Sequence, residues 1–567
     1  MKKNKIFYIV SISLLVLVMC INLFVPNNFI LQTIGILDLV TMAIYSFSKE
    51  KNLYKVLTIS IIVSIVLGYF IPSTSVNYGA AEKGTINPVT LVDSFIDLVY
   101  NANVFIPTFI YILVIGAFYA VLYKTKNYDI LVNNVAAKFN KNKGLFIVLT
   151  VFTFGLVTFF TGEMYSMLLF VPFFISVVRK LGFSKETSVI ATIGAILLGN
   201  ASTLYTYHAN QILSLTVKDN VLTKVILILV LLVSLIAFIL VFTKKPESTK
   251  ELKKEKTKVA PIHVAMWLLF VLLILGFVNW NGYFGFDGFD KFLETLRKGE
   301  IAHVSIFNII VGSTIAAFGT WQVFHLAALL IFTSVVIALI YKVKINDFFE
   351  AYAEGIKKAF PYAMILLLAN MVLVNVAYSG IFYTMVVGLT KKTISLLTGS
   401  LTAVLAAFFA PDSINATQFA LYSATLTKAT NYQNLLGVIF QAVYNLFLLI
   451  SPTSVLLFIG LKYTDTKYKD WIKYIYKFFI VLFVIVLLVI TIGVEGFKTT
   501  NIVALVLFVI AIILICYLRV SKVTKKVTNN AKIEVKAEPK KVETTSKKTT
   551  KKNSTTKKTN SKKVNKK

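Results

Sequence analysis

Two short polar stretches interrupt long apolar segments, and both carry groups that can bind small ions or solutes. The first supplies one amide and three hydroxyls, from Asn200, Ser202, Thr203 and Thr206. The second supplies three hydroxyls around a proline, from Ser451, Pro452, Thr453 and Ser454. A helix broken at such a point offers carbonyl and hydroxyl oxygens to a cation, and half-helix N-termini offer N–H groups to a carboxylate. The alternative is a purely structural role, in which the hydroxyls donate to carbonyl groups of their own helix and only bend it.

Two acidic residues lie in equally apolar surroundings. Glu163 stands in GLVTFFTGEMYSMLLF, and Asp412 stands in AAFFAPDSINATQFAL, where Ser413 and Asn415 follow it. A carboxylate inside a membrane is costly and is therefore a functional candidate, with a proton, a sodium ion or a basic amino acid as the expected ligand. The alternative is that each acid caps the half-helix that follows. Asn445, within a further apolar segment, could face a cavity or bond to another helix.

The composition places these residues in a membrane protein. Of the 567 residues, 57% are hydrophobic, and the mean hydropathy is +0.77. The net charge of +32 is uneven, because from Arg519 onward 18 Lys and Arg face three Glu, a net of +15. This Lys-rich tail lacks the aromatic residues that would stack on nucleic-acid bases, so we expect a disordered cytoplasmic extension near anionic lipid and no nucleic-acid partner.

The apolar segments predict an all-α polytopic membrane protein. Ten runs have the length of an ordinary span, near residues 6–25, 29–48, 53–71, 104–124, 222–242, 263–280, 322–341, 360–378, 471–493 and 501–519. Segments 186–217 and 434–460 are too long for one upright helix and predict two broken helices. Segments 145–178 and 394–430 divide into short arms and predict two re-entrant hairpins, which are tolerated only inside protein. Residues 301–319 are expected at the outer interface or in a loop.

The basic loops test this arrangement, since Lys and Arg in short loops mark the cytoplasmic side. Six such loops fall on one side if there are about 12 spans, if both hairpins return to the face they enter, and if both termini are cytoplasmic. Two blocks then repeat the order span, span, hairpin, broken helix, span with opposite orientation. We therefore predict an inverted repeat in the plasma membrane, divided into residues 1–52 (two extra helices), 53–242 (first half), 243–321 (linker), 322–493 (second half), 494–519 (last helix) and 520–567 (tail).

The second block resembles a known family. The segments FFEAYAEGIKKAFPYAMILLLANMVLVNVAYSGI, FFAPDSINATQFAL and QAVYNLFLLISPTSVLLFIGLKYTDTKYKDWIKYIYK are similar to the YfcC-like C4-dicarboxylate anaerobic carriers of the ion transporter superfamily. The element that joins Gln441 to Pro-Thr-Ser is the most specific match, and the resemblance spans about 53–490. It implies a secondary carrier, often dimeric, for small carboxylate-bearing solutes. The sequence departs from the family at Pro411-Asp412-Ser413 and at GNASTLYTY.

The functional hypothesis is an ion-coupled symporter or an exchanger, and not an enzyme. The two acids favour an amino acid such as arginine or ornithine, and a C4-dicarboxylate is the alternative substrate. A channel, a membrane scaffold and an intramembrane enzyme are the other classes considered, and the chain has no His-Glu-x-x-His or Gly-x-Ser-x-Gly motif. No cofactor is expected beyond a coupling proton or a sodium ion, for which the candidate ligands are Ser202, Thr203, Thr453 and Ser454. The expected partners are the solute, membrane lipid and a second copy of the chain.

Overall fold

A computed structural model describes most of the chain. The described residues are 2–24, 28–77, 80–204, 212–214, 216, 218–247, 254–255, 260–301, 304–310, 312–390, 395–417, 433–495 and the single positions 499, 503, 506, 507 and 510. Thr206, most of the predicted last span and the Lys-rich tail lie outside them. Residues 1–510 belong to one compact unit. Helices dominate because a chain in hydrocarbon must satisfy its backbone hydrogen bonds within each segment.

Eight of the described helices are long and apolar enough to cross a membrane, and shorter apolar helices accompany them. The chain is therefore an all-α, multi-pass membrane protein, as predicted. It begins with α1 (Lys2–Phe24) and α2 (Phe29–Lys49), which pack against each other. Asn28 caps the start of α2 with its side chain, and the Tyr8 hydroxyl lies 3.1 Å from that of Ser46.

The first half contains the predicted hairpin and the first arm of the predicted broken helix. Its elements are α3 (Leu53–Leu67), β1 (Thr74–Asn77), β2 (Ala80–Lys83), α4 (Leu91–Tyr100), α5 (Ala102–Lys124), α6 (Tyr128–Phe139), α7 (Lys143–Thr161), a 3₁₀ turn (Ser166–Phe170), α8 (Val171–Lys180), α9 (Lys185–Val189), a π turn (Ile190–Gly194), α10 (Ala195–Ala201), α11 (Val221–Ala237) and a second π turn (Phe238–Phe242). Strands β1 and β2 pair antiparallel. Helix α6 forms where the sequence suggested a basic loop.

The linker contains one apolar helix, which is followed by short helices and strands. It contains α12 (Ala260–Phe277), α13 (Trp280–Phe284), α14 (Gly288–Lys298), β3 (Glu300–Ile301), β4 (Val304–Ser305) and α15 (Ile306–Ile310). Residues 301–319 therefore contain a strand, a five-residue helix and turns, and the described part of this segment forms no span. This agrees with the predicted interfacial segment or loop.

The second half repeats the order of the first. Its elements are α16 (Val323–Ile340), α17 (Ile345–Tyr378), α18 (Ile381–Thr390), α19 (Leu396–Phe409), α20 (Ser413–Ala416), α21 (Gln433–Phe447), α22 (Val455–Tyr463) and α23 (Tyr468–Glu495). Helix α17 is longer than the predicted span at 360–378, because its polar first turns continue the helix beyond the apolar run. The chain leaves regular helix at 448–454, as the Pro-Thr-Ser element predicted.

Equivalent helices of the two halves meet in antiparallel pairs. In the pair α5 and α17, Lys124 bonds to Asp347 at one end and Asn101 to Tyr378 at the other. In the broken helices, Lys185 pairs with Asp465, and Asn200 bonds to Asn445. Helices α11 and α23 likewise pair Phe238 with Phe478 and Thr223 with Gly493. Antiparallel contact between all three equivalent pairs is the geometry of an inverted repeat.

The central pair, α5 and α17, is held together through small residues. A Cβ atom placed on Gly355 would lie 2.6 Å from the Gly116 carbonyl oxygen and 2.5 Å from the Ala117 Cα. The two backbones are therefore in direct contact, which is how helices associate in lipid where no hydrophobic effect drives them together. This close approach fixes the two halves against each other along their shared axis.

The described parts of the six basic loops lie on one surface, here called the basic face. Contacts connect these loops to one another: Lys462 lies over the Tyr54 ring, Lys185 pairs with Asp465, and Lys124 pairs with Asp347. Lys143 donates to the Glu247 carbonyl, and the Glu247 N–H donates to the Gly182 carbonyl, which joins the two groups of loops. Segment 143–180, here called hairpin 1, begins and ends at this face. The segment that starts with α19, here called hairpin 2, begins at the opposite face, where Thr384 bonds to Thr74 of β1 and the Tyr378 hydroxyl accepts from Asn101.

Candidate functional site

Hairpin 1 turns inside the membrane at a glycine. Helix α7 ends at Gly162, whose φ of 66° lies in the left-handed region that a residue without Cβ adopts at little cost. The chain then enters the 3₁₀ turn and α8. Two buried tyrosines of α5 hold this second arm in place, because Tyr111 donates to the Ser166 carbonyl (3.0 Å) and Tyr119 donates to the Leu169 carbonyl (2.8 Å).

Hairpin 2 turns at Pro411, and its tip meets the tip of hairpin 1. Helix α19 ends at Phe409, Ala410 is extended, and α20 begins at Ser413. The Ser413 hydroxyl donates to the Met164 sulfur over 3.7 Å. The arm that follows residue 417 lies largely outside the described residues. The two hairpins, which come from opposite faces, therefore approach each other at depth in the protein.

Break 1, residues 202–204, is tied to hairpin 1. The Thr203 hydroxyl donates to the Phe159 carbonyl (2.7 Å), and the Leu204 N–H donates to the same oxygen (3.1 Å). Ser202 instead bonds back to the carbonyls of Leu198 and Gly199 in its own helix. Of the predicted hydroxyls, that of Thr203 thus binds hairpin 1, whereas that of Ser202 has the structural role of bonding within its own helix. Thr206 lies outside the described residues.

Break 2, residues 448–454, is tied to hairpin 2 in the same way. The Ser451 hydroxyl donates to the Ala407 carbonyl (2.6 Å), and Thr453 shares its proton between the carbonyls of Ala407 (3.2 Å) and Phe408 (3.1 Å). Ser454 precedes α22 without a side-chain cap, so the first N–H groups of that half-helix have no side-chain acceptor there. Pro452 is buried at the turn.

Side chains of the next helix donate hydrogen bonds to two carbonyl groups of break 2. Trp471 donates its indole N–H to the Leu449 carbonyl (2.7 Å), and the Tyr468 hydroxyl donates to the Ile450 carbonyl. Both side chains are buried at the start of α23. A proline break in a membrane helix is tolerated when neighbouring groups satisfy the freed backbone, and these two residues provide that compensation.

The helices that lead into the two breaks, α10 and α21, meet through amide side chains, and this contact is here called the junction of the breaks. Asn200 Nδ2 donates to Asn445 Oδ1 over 2.8 Å, and Gln441 Nε2 donates to the Asn200 carbonyl over 2.8 Å. Asn445 Nδ2 completes the chain by donating to the Gln441 carbonyl. Asn200 Oδ1 is buried and has no hydrogen-bond partner among the described residues. The structure therefore joins Asn200 and Asn445 and leaves one buried acceptor between them.

The two tip acids accept hydrogen bonds from their own turns. Glu163 Oε1 accepts from the Tyr165 N–H (3.0 Å). Asp412 accepts from the Asn415 N–H (2.9 Å) and from the Asn415 side-chain amide (2.8 Å). Asp412 is 9% exposed, whereas Glu163 is half-buried, and the two carboxyl groups are close enough to interact electrostatically. Each acid thus has a local capping role, which was the alternative to an ion-binding role.

A cavity of about 700 Å³ opens toward the basic face. It lies between α5, α17, the second arm of hairpin 1 and α22. Its mouth carries charged groups and its walls carry phenol rings: Lys124, Glu350, Glu354 and Lys358, with Tyr119, Tyr123, Tyr362 and Tyr463. The described residues contain no group of three His, Cys, Asp or Glu side chains that could hold a metal ion.

Three residues of this region were not among the predicted site residues. Gln441 is nine-tenths buried and bonds across the junction of the breaks, and its signal is present in the sequence element that joins Gln441 to Pro452 across ten residues. The Tyr165 hydroxyl is buried beside both tip acids and has no hydrogen-bond partner among the described residues. Lys224 is 7% exposed, and its ammonium donates to the Leu204 carbonyl at break 1 (2.9 Å). Nothing in the local sequence distinguishes Lys224 from an interfacial lysine.

Comparison with known proteins agrees with the resemblance noted in the sequence. Among solved structures, one similar chain is described as a crystal structure of the Alcanivorax borkumensis YdaH transporter that reveals an unusual topology. The identity is 12% and the TM-score 0.40, over 79% of this chain and 99% of that one. A search of curated protein sequences finds no match. A family model described as the C4-dicarboxylate anaerobic carrier matches residues 94–495. This match covers well over half of the chain, from the amphipathic helix before α5 to the end of α23, and the protein therefore belongs to the C4-dicarboxylate anaerobic carrier family.

Proposed function

We propose that this protein is a secondary carrier that moves a four-carbon dicarboxylate across the membrane. The observation that carries the proposal is the junction of the two breaks, where Asn200 and Asn445 bond across the inverted repeat in a chain of this carrier family. Solute sites of inverted-repeat carriers lie at such junctions, close to the membrane midplane. The substrate is thus the one that stood as the alternative to an amino acid.

The chemistry around the breaks supports an anionic solute. Helix α22 begins at Val455 without a side-chain cap, so the Ser454 side chain does not compete with a carboxylate for the first N–H groups and the positive dipole end. Amide side chains at Gln441, Asn200 and Asn445 add donors and acceptors in a buried setting. A carboxylate bound by N–H groups needs no further charged partner, because helix N-termini bind anions on their own.

The tip acids no longer favour a basic amino acid. Glu163 and Asp412 suggested a cationic ligand because an unexplained carboxylate in a membrane needs a partner. Their carboxylate oxygens accept hydrogen bonds from Tyr165 and Asn415, which accounts for both acids without a substrate. The two acids therefore give no reason to favour arginine or ornithine as the substrate.

The cavity at the basic face supports an access path for the solute. The second arm of hairpin 1 forms one wall, and the α5–α17 pair forms another. A solute entering there would reach hairpin 1 without crossing lipid. In our proposal this face is cytoplasmic, since Lys and Arg concentrate in its loops, and both termini lie on that side.

We further propose that transport of the solute is coupled to sodium ions or protons by symport. Four oxygen atoms gather where break 2 meets hairpin 2, from Ser451, Thr453, Ala407 and Phe408. Hydroxyl and carbonyl oxygens are suitable ligands for a hard cation. We propose Ser202, Thr203 and Ser454 as further candidate ligands for the coupling ion. We also propose that the protein is a homodimer in the plasma membrane.

A counterflow assay tests the substrate. Purified protein in proteoliposomes loaded with unlabelled succinate should accumulate labelled succinate transiently, with saturation and with competition by other four-carbon dicarboxylates. Labelled arginine and ornithine serve as the matched comparison. Accumulation of the amino acids without accumulation of dicarboxylates would overturn the substrate assignment, and flux that never saturates would indicate a channel.

The coupling ion is tested in the same vesicles. Imposed sodium and pH gradients are applied separately, each at zero membrane potential. We expect one of them to drive succinate uptake above equilibrium. Exchange that proceeds equally well without either gradient would contradict ion coupling and would identify an exchanger.

A further inference from the structure

Lys224 carries a buried positive charge, and its one hydrogen bond, to the break 1 backbone, could be made equally well by a neutral donor. It is the single lysine or arginine among the described residues that is buried, at 7% exposure, and it is the fourth residue of α11. Its ammonium donates to the Leu204 carbonyl at the end of break 1 over 2.9 Å. The pairing of Thr223 with Gly493 places this end of α11 away from the basic face.

In the second half, a neutral side chain makes the hydrogen bond that is equivalent to the one from Lys224 to the Leu204 carbonyl. Trp471 is the fourth residue of α23, which follows the second broken helix as α11 follows the first. Its neutral indole donates to the Leu449 carbonyl of break 2 over 2.7 Å. The same structural position therefore carries a neutral donor in one half and an ammonium in the other. Since a charge in the membrane is costly, the ammonium at Lys224 needs an explanation beyond the hydrogen bond.

Lys224 forms no ion pair with any described residue. The described acid whose charge acts on it is Asp219, which accepts hydrogen bonds from the N–H and the hydroxyl of Thr216 and forms no salt bridge with Lys224. An ammonium has three N–H donors, and Leu204 uses one of them. Among the described residues, the other two N–H donors and the positive charge of Lys224 have no further partner, and they lie beside break 1.

We propose that the Lys224 ammonium binds one carboxylate of the transported solute at break 1. The inference rests on the proposed function and adds to it the residue that selects for the second negative charge. A monocarboxylate that binds at α22 and break 2 would leave Lys224 unpaired. A dicarboxylate would neutralise it, so Lys224 is a specificity-determining residue for doubly charged solutes.

The test compares succinate with its monoamide, succinamate, which has nearly the same shape but one charge fewer. Inhibition constants for both are measured against labelled succinate uptake in proteoliposomes, for wild type, Lys224→Met, Lys224→Arg and Trp471→Phe. Trp471→Phe is the matched control, because it removes the equivalent brace without removing a charge. We expect Lys224→Met to bind succinate at least about tenfold more weakly and to lose the preference over succinamate. Lys224→Arg should keep the preference, and Trp471→Phe should affect both solutes equally.

A chemical rescue keeps the test decisive if Lys224→Met folds poorly. Lys224→Cys is made with Cys20 and Cys516 replaced by Ser, and it is treated with an aminoethyl or a methyl methanethiosulfonate. The aminoethyl adduct restores an ammonium and should restore the preference for succinate, whereas the methyl adduct should not. Equal behaviour of the two adducts, or an unchanged preference in Lys224→Met, would overturn the assignment. If wild type transports no dicarboxylate at all, the proposed function falls, and this inference falls with it.

Discussion

Asn200 and Asn445 depend on each other for their hydrogen bonds, although 245 positions separate them in the chain. Each is completely buried, so loss of either amide leaves the other with an unsatisfied polar group. Such a group costs about 1–3 kcal/mol, whereas loss of both amides removes the mismatch. This residue pair therefore links the two halves energetically as well as geometrically.

The pair should show non-additive stability. We expect Asn200→Ala and Asn445→Ala each to lower the thermal unfolding temperature in detergent, and the double variant to lose less than the sum. A coupling energy of about 1 kcal/mol is expected from contacting residues. Asn22→Ala is the control, because its buried amide bonds to the Tyr69 carbonyl in another part of the molecule. It should be additive with Asn200→Ala, and additivity of Asn200 with Asn445 would contradict the bond between the breaks.

At the tip of hairpin 2, the capping role of Asp412 makes a second prediction. Asp412→Ala removes the acceptor for the Asn415 N–H and should cost about 0.5–2 kcal/mol, as loss of a cap does. Asp412→Asn keeps an acceptor oxygen and should unfold within a few degrees of wild type. Differential scanning fluorimetry measures both. Equal destabilisation by the two variants would mean that the charge, rather than the cap, stabilises the tip.

Among the elements, hairpins and broken helices were predictable because their signals are local. Glycine or proline beside an acid, with apolar arms too short to span, marked both hairpins, and Pro-Thr-Ser marked break 2. What could not be predicted is the partner of each group. Trp471 and Lys224 donate to the carbonyl groups at the two breaks. The sequence does not predict how their helices are rotated about their axes, and this rotation decides which side chain reaches each carbonyl. The sequence predicts a loop at α6, because its charged residues resemble those of a linker.

The α5–α17 pair is the element contact most sensitive to size. A methyl group on Gly355 would lie 2.5 Å from the Ala117 Cα and 2.6 Å from the Gly116 oxygen, and backbone atoms cannot give way as side chains can. We therefore expect Gly355→Ala to destabilise the protein by about 1–3 kcal/mol. The yield of monodisperse protein and the unfolding temperature should both fall.

Gly388 provides the matched control for this substitution. It lies in α18, and a Cβ there would meet nothing within 4 Å. Gly388→Ala should be neutral or should stabilise by up to about 1 kcal/mol, because alanine loses less backbone freedom in a helix. If both alanine variants behaved alike, the close approach of α5 and α17 would not be a determinant of stability.

For the whole molecule, the charge distribution should orient the protein without the tail. The net charge of +32 includes +15 from Arg519 onward, and the rest is concentrated in the loops of the basic face. Deletion of residues 520–567 should therefore leave both orientation and succinate uptake within about twofold of wild type, since short basic loops set topology. Loss of uptake in a correctly inserted deletion variant would support the scaffold alternative.

The orientation itself follows from the same rule and can be measured with single cysteines. With Cys20 and Cys516 replaced by Ser, Lys141→Cys places a thiol between α6 and α7 at the basic face, and Glu294→Cys places one on α14 at the opposite face. Both positions are exposed. A membrane-impermeant maleimide should label Glu294→Cys in intact cells and Lys141→Cys only after permeabilisation. Labelling in the reverse order would place the basic face and the 700 Å³ cavity outside, so that the structure would be open to solute from the outer side.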